Sequence, residues 1–175
     1  MDLDSELIYV GDSGSVEPSN ASTRKGFELT MFWRPLPGLA IDGVWAHSYA
    51  RFKDAPGAAY IPGAIEDTGE LGVAYVREGW NAGARLRYLG KHPLVADNSR
   101  VSEPTTIVNL RAAWTPGPRL ELYGELLNVF DSDEKDIEYV YESYLPAIDA
   151  AGPVEDLHSR AVEPRQIRIG VKKAF

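Results

Sequence analysis

The sequence predicts an all-β protein whose antiparallel strands form the wall of a transmembrane β-barrel. Apolar and polar residues alternate along about eight segments, and a period of two is typical of β-strands. Short turns and long polar loops alternate between the segments, as they do in outer-membrane barrels. Aromatic residues stand beside the short turns, where a barrel wall meets the edge of the membrane. Together these observations favour a barrel wall over a soluble sandwich.

The predicted strands follow this alternation in chain order. In the segment 23–34, Leu29 and Met31 lie on one face, whereas Glu28 and Thr30 lie on the other. Pro- and Gly-rich turns join some strands, and polar stretches at 11–22, 53–69, 91–104 and 131–164 are predicted to be loops. The predicted strands are 6–10, 23–34, 39–52, 70–77, 81–90, 105–114, 119–127 and 166–175.

Composition excludes several classes of function. The net charge of −8 argues against binding to a phosphate backbone, so we expect no nucleic-acid partner. No stretch approaches the roughly 20 apolar residues of a transmembrane helix. The chain has no cysteine, and its three histidines are not at metal-ligand spacing, so we predict no metal site and no cofactor. No arrangement of catalytic residues stands out, and we do not expect an enzyme.

The C-terminal segments resemble a known family. The run ELLNVFD at 125–131, the long polar segment after it, the run EPR at 163–165 and the terminal aromatic residue resemble the end of a TonB-dependent outer-membrane receptor. That family usually has Leu at the position of Val129. Shorter runs upstream, such as KGFEL at 25–29 and RLRYLG at 85–90, occur in the order expected of such a barrel. The residues of this signature are Asn128, Phe130, Asp131, Glu163, Pro164, Arg165 and Phe175.

The resemblance implies a fold, a location and a function. The fold is the last part of a barrel of about 22 strands. The function is active uptake of a scarce solute, such as a ferric siderophore or cobalamin, across the outer membrane of a Gram-negative bacterium. The implied partners are outer-membrane lipid, the TonB system and an extracellular metal chelate or other small solute. The plug domain that contacts TonB is expected upstream of these 175 residues.

The start of the sequence has neither the basic segment nor the apolar run of a secretory signal. A barrel that reaches the outer membrane needs such a signal. Met1 is therefore interpreted as an internal methionine, a miscalled start or an expression boundary.

Two groups of wall residues are candidates for function. The tryptophans beside short turns are predicted to lie at the membrane boundary, at one level with Phe175. Charged residues on the polar face are predicted to line the lumen, where they could contact a plug or solute, or simply pair across neighbouring strands, which is the commoner use. The boundary residues are Trp33, Trp80 and Trp114; the lumen residues are Arg85, Arg87, Arg111, Glu121, Glu125 and Arg168.

The predicted loop 131–164 is acidic and contains three tyrosines. It could recognise a metal chelate or close over a substrate. Alternatively it is a solvated loop, bridged to lipopolysaccharide by divalent ions, because charge runs usually serve only solvation.

Two alternatives to the receptor hypothesis remain open from the sequence. An eight-stranded barrel can close by itself with its interior filled by side chains. A soluble β-barrel or sandwich that binds an apolar ligand would show the same alternation, but with its apolar face inward. The missing secretory signal speaks against the first alternative, and the placement of the aromatic residues speaks against the second.

Overall fold

The computed structural model describes residues 1–10, 15–147 and 151–174, and its regular elements are β-strands. Phe175 of the signature and Asp149 of the acidic loop lie outside the described residues. The strands are β1 (Asp2–Leu3), β2 (Leu7–Val10), β3 (Ser15–Pro18), β4 (Ser22–Leu36), β5 (Leu39–Phe52), β6 (Asp67–Arg77), β7 (Trp80–Leu89), β8 (Thr105–Gly117), β9 (Leu120–Leu127), β10 (Lys135–Ser143), β11 (Val154–Ala161) and β12 (Gln166–Lys173).

Eight strands form one antiparallel sheet in the order β1-β4-β5-β6-β7-β8-β9-β12. The predicted all-β class is therefore confirmed. Short turns join β4 to β5, β6 to β7 and β8 to β9 at one end of the sheet, which we call the turn end. The long connections 53–66, 90–104 and 128–165 lie at the opposite end, which we call the loop end.

The pairing register separates two faces of the sheet. Residues that face each other across neighbouring strands point to the same side. One such row contains Leu71, Leu86 and Val108, while the adjacent row contains Glu70 and Arg87. Between the two ends of the sheet, no charged residue of the paired strands occupies a register position on the first side. We call the two sides the apolar face and the polar face.

The apolar face is uncovered by the rest of the described chain. Leu29 is 61% exposed, and the side chains of Met31 and Leu71 are both 44% exposed. Full burial of an aliphatic side chain of this size contributes about 1.5–3 kcal/mol, and a side chain that stays exposed to water does not gain this free energy. A contiguous surface of this kind marks an interface or a membrane contact rather than a water-facing sheet.

The predicted strand 6–10 exists, but it is not part of the large sheet. It corresponds to β2, which pairs with β3 in a separate two-stranded sheet. The eighth strand of the large sheet is β1, a two-residue segment that pairs with the start of β4. The prediction of a continuous loop over 11–22 was wrong at 15–18, because alternation identifies a strand but not its partner.

The predicted loop 131–164 is also wrong in part, since it contains a β-hairpin. Strands β10 and β11 pair antiparallel over eight register positions, with one irregularity between Lys135 and Ile137. The density of acidic side chains on β10 hides its strand signal, because Asp136, Glu138 and Glu142 interrupt a short run that contains only two aliphatic residues, Ile137 and Val140.

No helix in the described part of the chain is long and apolar enough to cross a membrane.

The turn between β4 and β5 depends on a close backbone approach at Gly38. This residue has φ of 83°, and its carbonyl accepts the Val76 N–H at 2.7 Å. A Cβ at this position would collide with the Val76 carbonyl oxygen. Gly57 has a similar φ of 77°, but a Cβ there would meet nothing within 4 Å.

We expect Gly38→Ala to destabilise the barrel more than Gly57→Ala. Both substitutions strain a positive φ at a cost of about 1 kcal/mol, but only the first forces two strands apart. The measurement is the temperature at which the folded, heat-modifiable band of the full-length protein disappears on gel electrophoresis. Equal shifts for the two variants would show that the approach of Gly38 to Val76 is not important.

Candidate functional site on the polar face and at the loop end

A charged cluster centred on Arg85 lies in the middle of the polar face. The Arg85 guanidinium on β7 contacts the Asp42 carboxylate on β5 at 3.2 Å and also pairs with Glu70 on β6. The strand between Arg85 and Asp42 carries Gly72, where a Cβ would collide with both side chains. The absence of a side chain at Gly72 therefore allows the two charges to meet across an intervening strand.

A second cluster is centred on Arg111. Its guanidinium contacts Glu125 and, at 3.5 Å, Glu121, which also pairs with Lys172 of β12 at 3.2 Å. The Tyr123 ring lies 4.6 Å from the Arg111 guanidinium carbon, within the range of a cation–π contact. These contacts connect β8, β9 and β12.

The described contacts favour the structural use of the polar-face charges over a free binding role. Of the six predicted lumen residues, Arg85, Arg111, Glu121 and Glu125 pair across neighbouring strands. Arg85 and Arg111 are 52% and 41% exposed, so each exposed pair contributes about 0–1 kcal/mol. These pairs fix side-chain positions more than they stabilise the fold. Arg87 contacts Asp136 of β10 at 3.4 Å, and Arg168 contacts the Gln166 side chain at 3.1 Å.

A shallow hollow of about 260 Å³ separates the two clusters. Asp42 and Arg85 lie on one side of it, and Arg111 and Glu125 lie on the other, with Asn109 between them. Such a lining offers both donors and acceptors at fixed positions. The lining also contains apolar residues, among them Ala74 and Leu127, so the hollow combines hydrogen-bonding groups with apolar contact.

All three predicted boundary tryptophans lie on the apolar face near the turn end. Trp80 and Trp114 face each other across β7 and β8, with ring centroids 5.6 Å apart and planes inclined by 17°. Trp33 pairs with Ile41 and is separated from the other two by β5 and β6. Their location at a membrane boundary stays a prediction.

The signature residue Asn128 fastens the base of the long connection between β9 and β12. Its side chain is 4% exposed and donates to the carbonyl oxygens of Ser132 at 3.1 Å and Glu163 at 3.0 Å. Its Oδ1 accepts the N–H and the hydroxyl of Ser132. Its own N–H donates to the Asn109 side chain at 3.0 Å. Asn128 thus joins the two ends of a segment more than 30 residues long.

Other signature residues complete this connection. Asp131 accepts the Arg165 N–H at 2.9 Å and forms a 3.5 Å ion pair with the Arg165 guanidinium. Asn128 and Asp131 have φ of 47° and 55°, a backbone conformation that Asn and Asp adopt more readily than most residues. Phe130 is 74% exposed, and Pro164 precedes β12. Asn128, Asp131, Glu163 and Arg165 thus make contacts that hold the connection together, whereas the use of these residues as a family signature stays a prediction.

The acidic hairpin β10–β11 is anchored by the carboxylates at its base. Glu138 is 6% exposed and accepts the Glu103 N–H at 2.9 Å, and Glu134 accepts the Thr106 N–H. Together with the contact between Asp136 and Arg87, these bonds attach the hairpin to the connection 90–104 and to the wall. Some acidic residues of 131–164 therefore have a structural role. The sequence analysis considered only ligand recognition and solvation for this segment.

The connection 90–104 contains a partly buried histidine. Burial lowers the pKa of His92 below its ordinary value of 6.5, although the Glu138 carboxylate opposes this shift. The His92 Nδ1 lies 2.9 Å from the hydroxyl oxygen of Ser102. Ser102 is a buried residue with 2% of its surface exposed. A neutral His92 at neutral pH is consistent with this environment. Among the described residues, no group of three or more His, Asp or Glu side chains could hold a metal ion.

The geometry of a two-faced antiparallel wall agrees with the family comparison. Residues 1–129 match the family described as "TonB dependent receptor-like, beta-barrel". The chain belongs to this family of receptor barrels, which lie in the outer membrane. The family and the location predicted from the sequence are thereby confirmed. No curated protein sequence matches the chain.

Solved structures with a similar fold include two receptors and a transporter. The ferric-catecholate import receptor Fiu from E. coli K12, in its closed form, has a TM-score of 0.71 and 18% identity, and the match covers 99% of this chain and 24% of Fiu. The siderophore receptor PiuA from Acinetobacter baumannii has a TM-score of 0.70 and 13% identity, with coverages of 98% and 24%. The copper transporter OprC has a TM-score of 0.67 and 15% identity, with coverages of 98% and 26%. The chain spans about a quarter of the length of these proteins.

Sequence reasoning missed several residues that organise the site. Asn109, Gly72 and Tyr123 matter because of the residues opposite them, and those partners are set by strand register. A glycine in a wall strand next to charged residues on both neighbouring strands is a signal that could have identified the Arg85 cluster.

We expect Asn128→Ala to loosen the long connection, because it leaves the Glu163 carbonyl and the Ser132 N–H without their partner. Loss of a buried amide of this kind costs about 1–3 kcal/mol. Asn98→Ala is the matched control, since Asn98 also has a positive φ, of 60°, but lies in a different connection. The measurement is the rate of limited proteolysis within 131–164 of the full-length protein in the membrane. Equal rates for the two variants would exclude the fastening role of Asn128.

Proposed function

We propose that this chain is the C-terminal part of the barrel of an outer-membrane TonB-dependent receptor, and that the complete receptor actively imports a scarce solute. The observation that carries the proposal is the separation of the sheet into an uncovered apolar face and a charged face across the same paired strands. Such a wall suits lipid on one side and a polar lumen on the other.

The polar face supports the presence of an internal partner. Its charges are held in place by cross-strand pairs, and the hollow between the Arg85 and Arg111 clusters presents fixed donors and acceptors. A plug domain encoded upstream would meet this surface inside the barrel. In this proposal the TonB system acts on the plug and not on the described residues.

The proposed cargo is a ferric chelate of the siderophore class, with cobalamin as the other possibility considered from the sequence. The names of Fiu and PiuA support a ferric chelate, whereas the copper transporter OprC shows that proteins with this fold carry other cargo. We propose no enzymatic activity, because the similar structures are receptors and transporters.

Two observations speak against the alternatives. A self-contained eight-stranded barrel would need its outer strands to pair along their length, but β1 contributes only two residues. A soluble barrel would bury its apolar face, yet the β12 residues Ile167 and Ile169 are 75% and 85% exposed.

Fractionation of the natural organism tests whether the chain is part of a larger receptor. An antibody against 131–164 should detect an outer-membrane band several times larger than 19.3 kDa. A soluble band of 19.3 kDa would contradict the membrane assignment.

Uptake measurements test the transport function. Cells grown without iron should accumulate radioactive iron from a ferric siderophore, and deletion of the gene or of TonB should abolish this uptake from at least one chelate. Restoring the gene should restore uptake. Unchanged uptake of every ferric siderophore and of cobalamin after deletion would overturn the proposed cargo.

A further inference from the structure

The two ends of the sheet carry opposite charge. Among the described turn-end residues 34–38, 77–80, 117–119 and Lys173, the cations are Arg34, Arg77, Arg119 and Lys173 and the acid is Glu78, whereas the connection 128–165 at the loop end is strongly acidic. Short turns of outer-membrane barrels face the periplasm. The basic end therefore lies at the level of the lipid headgroups of the periplasm-facing leaflet.

Arg77, like Lys173, is a turn-end cation on the apolar face, and Arg77 lies next to the tryptophan pair. It is the last residue of β6, and it pairs in register with Trp80, which lies on that face beside Trp114. Arg77 is exposed, and its guanidinium forms no ion pair with another residue in the ranges 1–10, 15–147 and 151–174. An unpaired guanidinium at the border between an apolar surface and water requires an anion or water as its partner.

An apolar groove runs across the sheet on the same face. Its floor is formed by Ala82, Ala112 and Gly124, which face one another across β7, β8 and β9. The adjacent row toward the loop end contains the larger side chains of Leu110 and Leu126, while the row toward the turn end contains the tryptophan pair. The groove has a volume of about 530 Å³. By register, its floor lies one row from the tryptophan pair on the same face.

We propose that Arg77, Trp80 and Trp114 form a seat for an anionic phosphoglycerolipid of the periplasm-facing leaflet. The lipid phosphate accepts hydrogen bonds from the Arg77 guanidinium, whose planar fork suits a phosphate. The glycerol region contacts the tryptophan rings, which favour the boundary between apolar and polar media. One acyl chain lies along the groove over Ala82 and Ala112.

Charge complementarity selects the headgroup. In phosphatidylglycerol the phosphate is the only charge, so Arg77 neutralises it. In phosphatidylethanolamine the adjacent ammonium group competes with Arg77 for the same phosphate. We therefore expect a preference for phosphatidylglycerol. This inference depends on the orientation of the barrel but not on the transported cargo.

Native mass spectrometry of the purified full-length receptor tests the seat. The protein is incubated in detergent with phosphatidylglycerol or with phosphatidylethanolamine, and the lipids that remain bound are counted. We expect Arg77→Gln to reduce retained phosphatidylglycerol at least threefold, with a smaller effect on phosphatidylethanolamine. Arg77→Lys should retain more phosphatidylglycerol than Arg77→Gln but less than the natural protein, since it preserves the charge but not the planar fork.

Arg100→Gln is the matched control, because it removes an exposed arginine from the loop end. It should leave phosphatidylglycerol retention unchanged. Each variant is first shown to be folded by its heat-modifiable band, and Arg77→Lys supplies a folded comparison if the glutamine variant is unstable. The proposal is overturned if Arg77→Gln retains as much phosphatidylglycerol as the natural protein, if Arg100→Gln loses as much, or if the lipid that depends on Arg77 is lipid A.

Discussion

The structure depends on the hydrogen-bonded ladder that joins its strands, because a backbone in hydrocarbon has no water to bond with. From β4 to β12 each wall strand continues the ladder of the one before, and the order of strands in the sheet follows the order in the chain apart from the inserted hairpin. The described residues outside the ladder lie in the short turns or at the loop end, where water can satisfy their backbone groups. The ladder thereby determines which parts of the sequence can lie in the membrane and which cannot.

The ladder also assigns every side chain to one of two media. The register places Leu71 and Leu86 on one face and Glu70 and Arg87 on the other, and a slip by one residue would exchange these environments. The cross-strand ion pairs of Arg85 and Arg111 add little free energy at their exposure, but they suit only one register. Charge pairing on the polar face and apolar contact on the other thus specify the same alignment of strands.

Local alternation was sufficient to predict the wall but not the loop end. The predicted strand 39–52 has the bounds of β5, since a period of two is a property of one strand alone. Strand β3 and the hairpin β10–β11 were missed because Ser15, Glu17 and Pro18 in β3 and the acidic residues of β10 obscure the alternation, which in any case does not identify the partner of a strand. The same limit applies within the site: Asn128 and Asp131 were singled out by resemblance, whereas their bonds to Glu163 and Arg165 appear only in three dimensions.

The assignment of the apolar face to lipid is the central claim, and site-directed spin labelling tests it most directly. The chain contains no cysteine, so single cysteines can be placed in it at Asn109 on the polar face and at Leu110 on the apolar face of β8. In the full-length receptor in a bilayer, the label at position 110 should be more accessible to dissolved oxygen, and the label at 109 more accessible to a water-soluble nickel complex. The reverse pattern, or equal exposure of both labels to the nickel complex, would contradict the account.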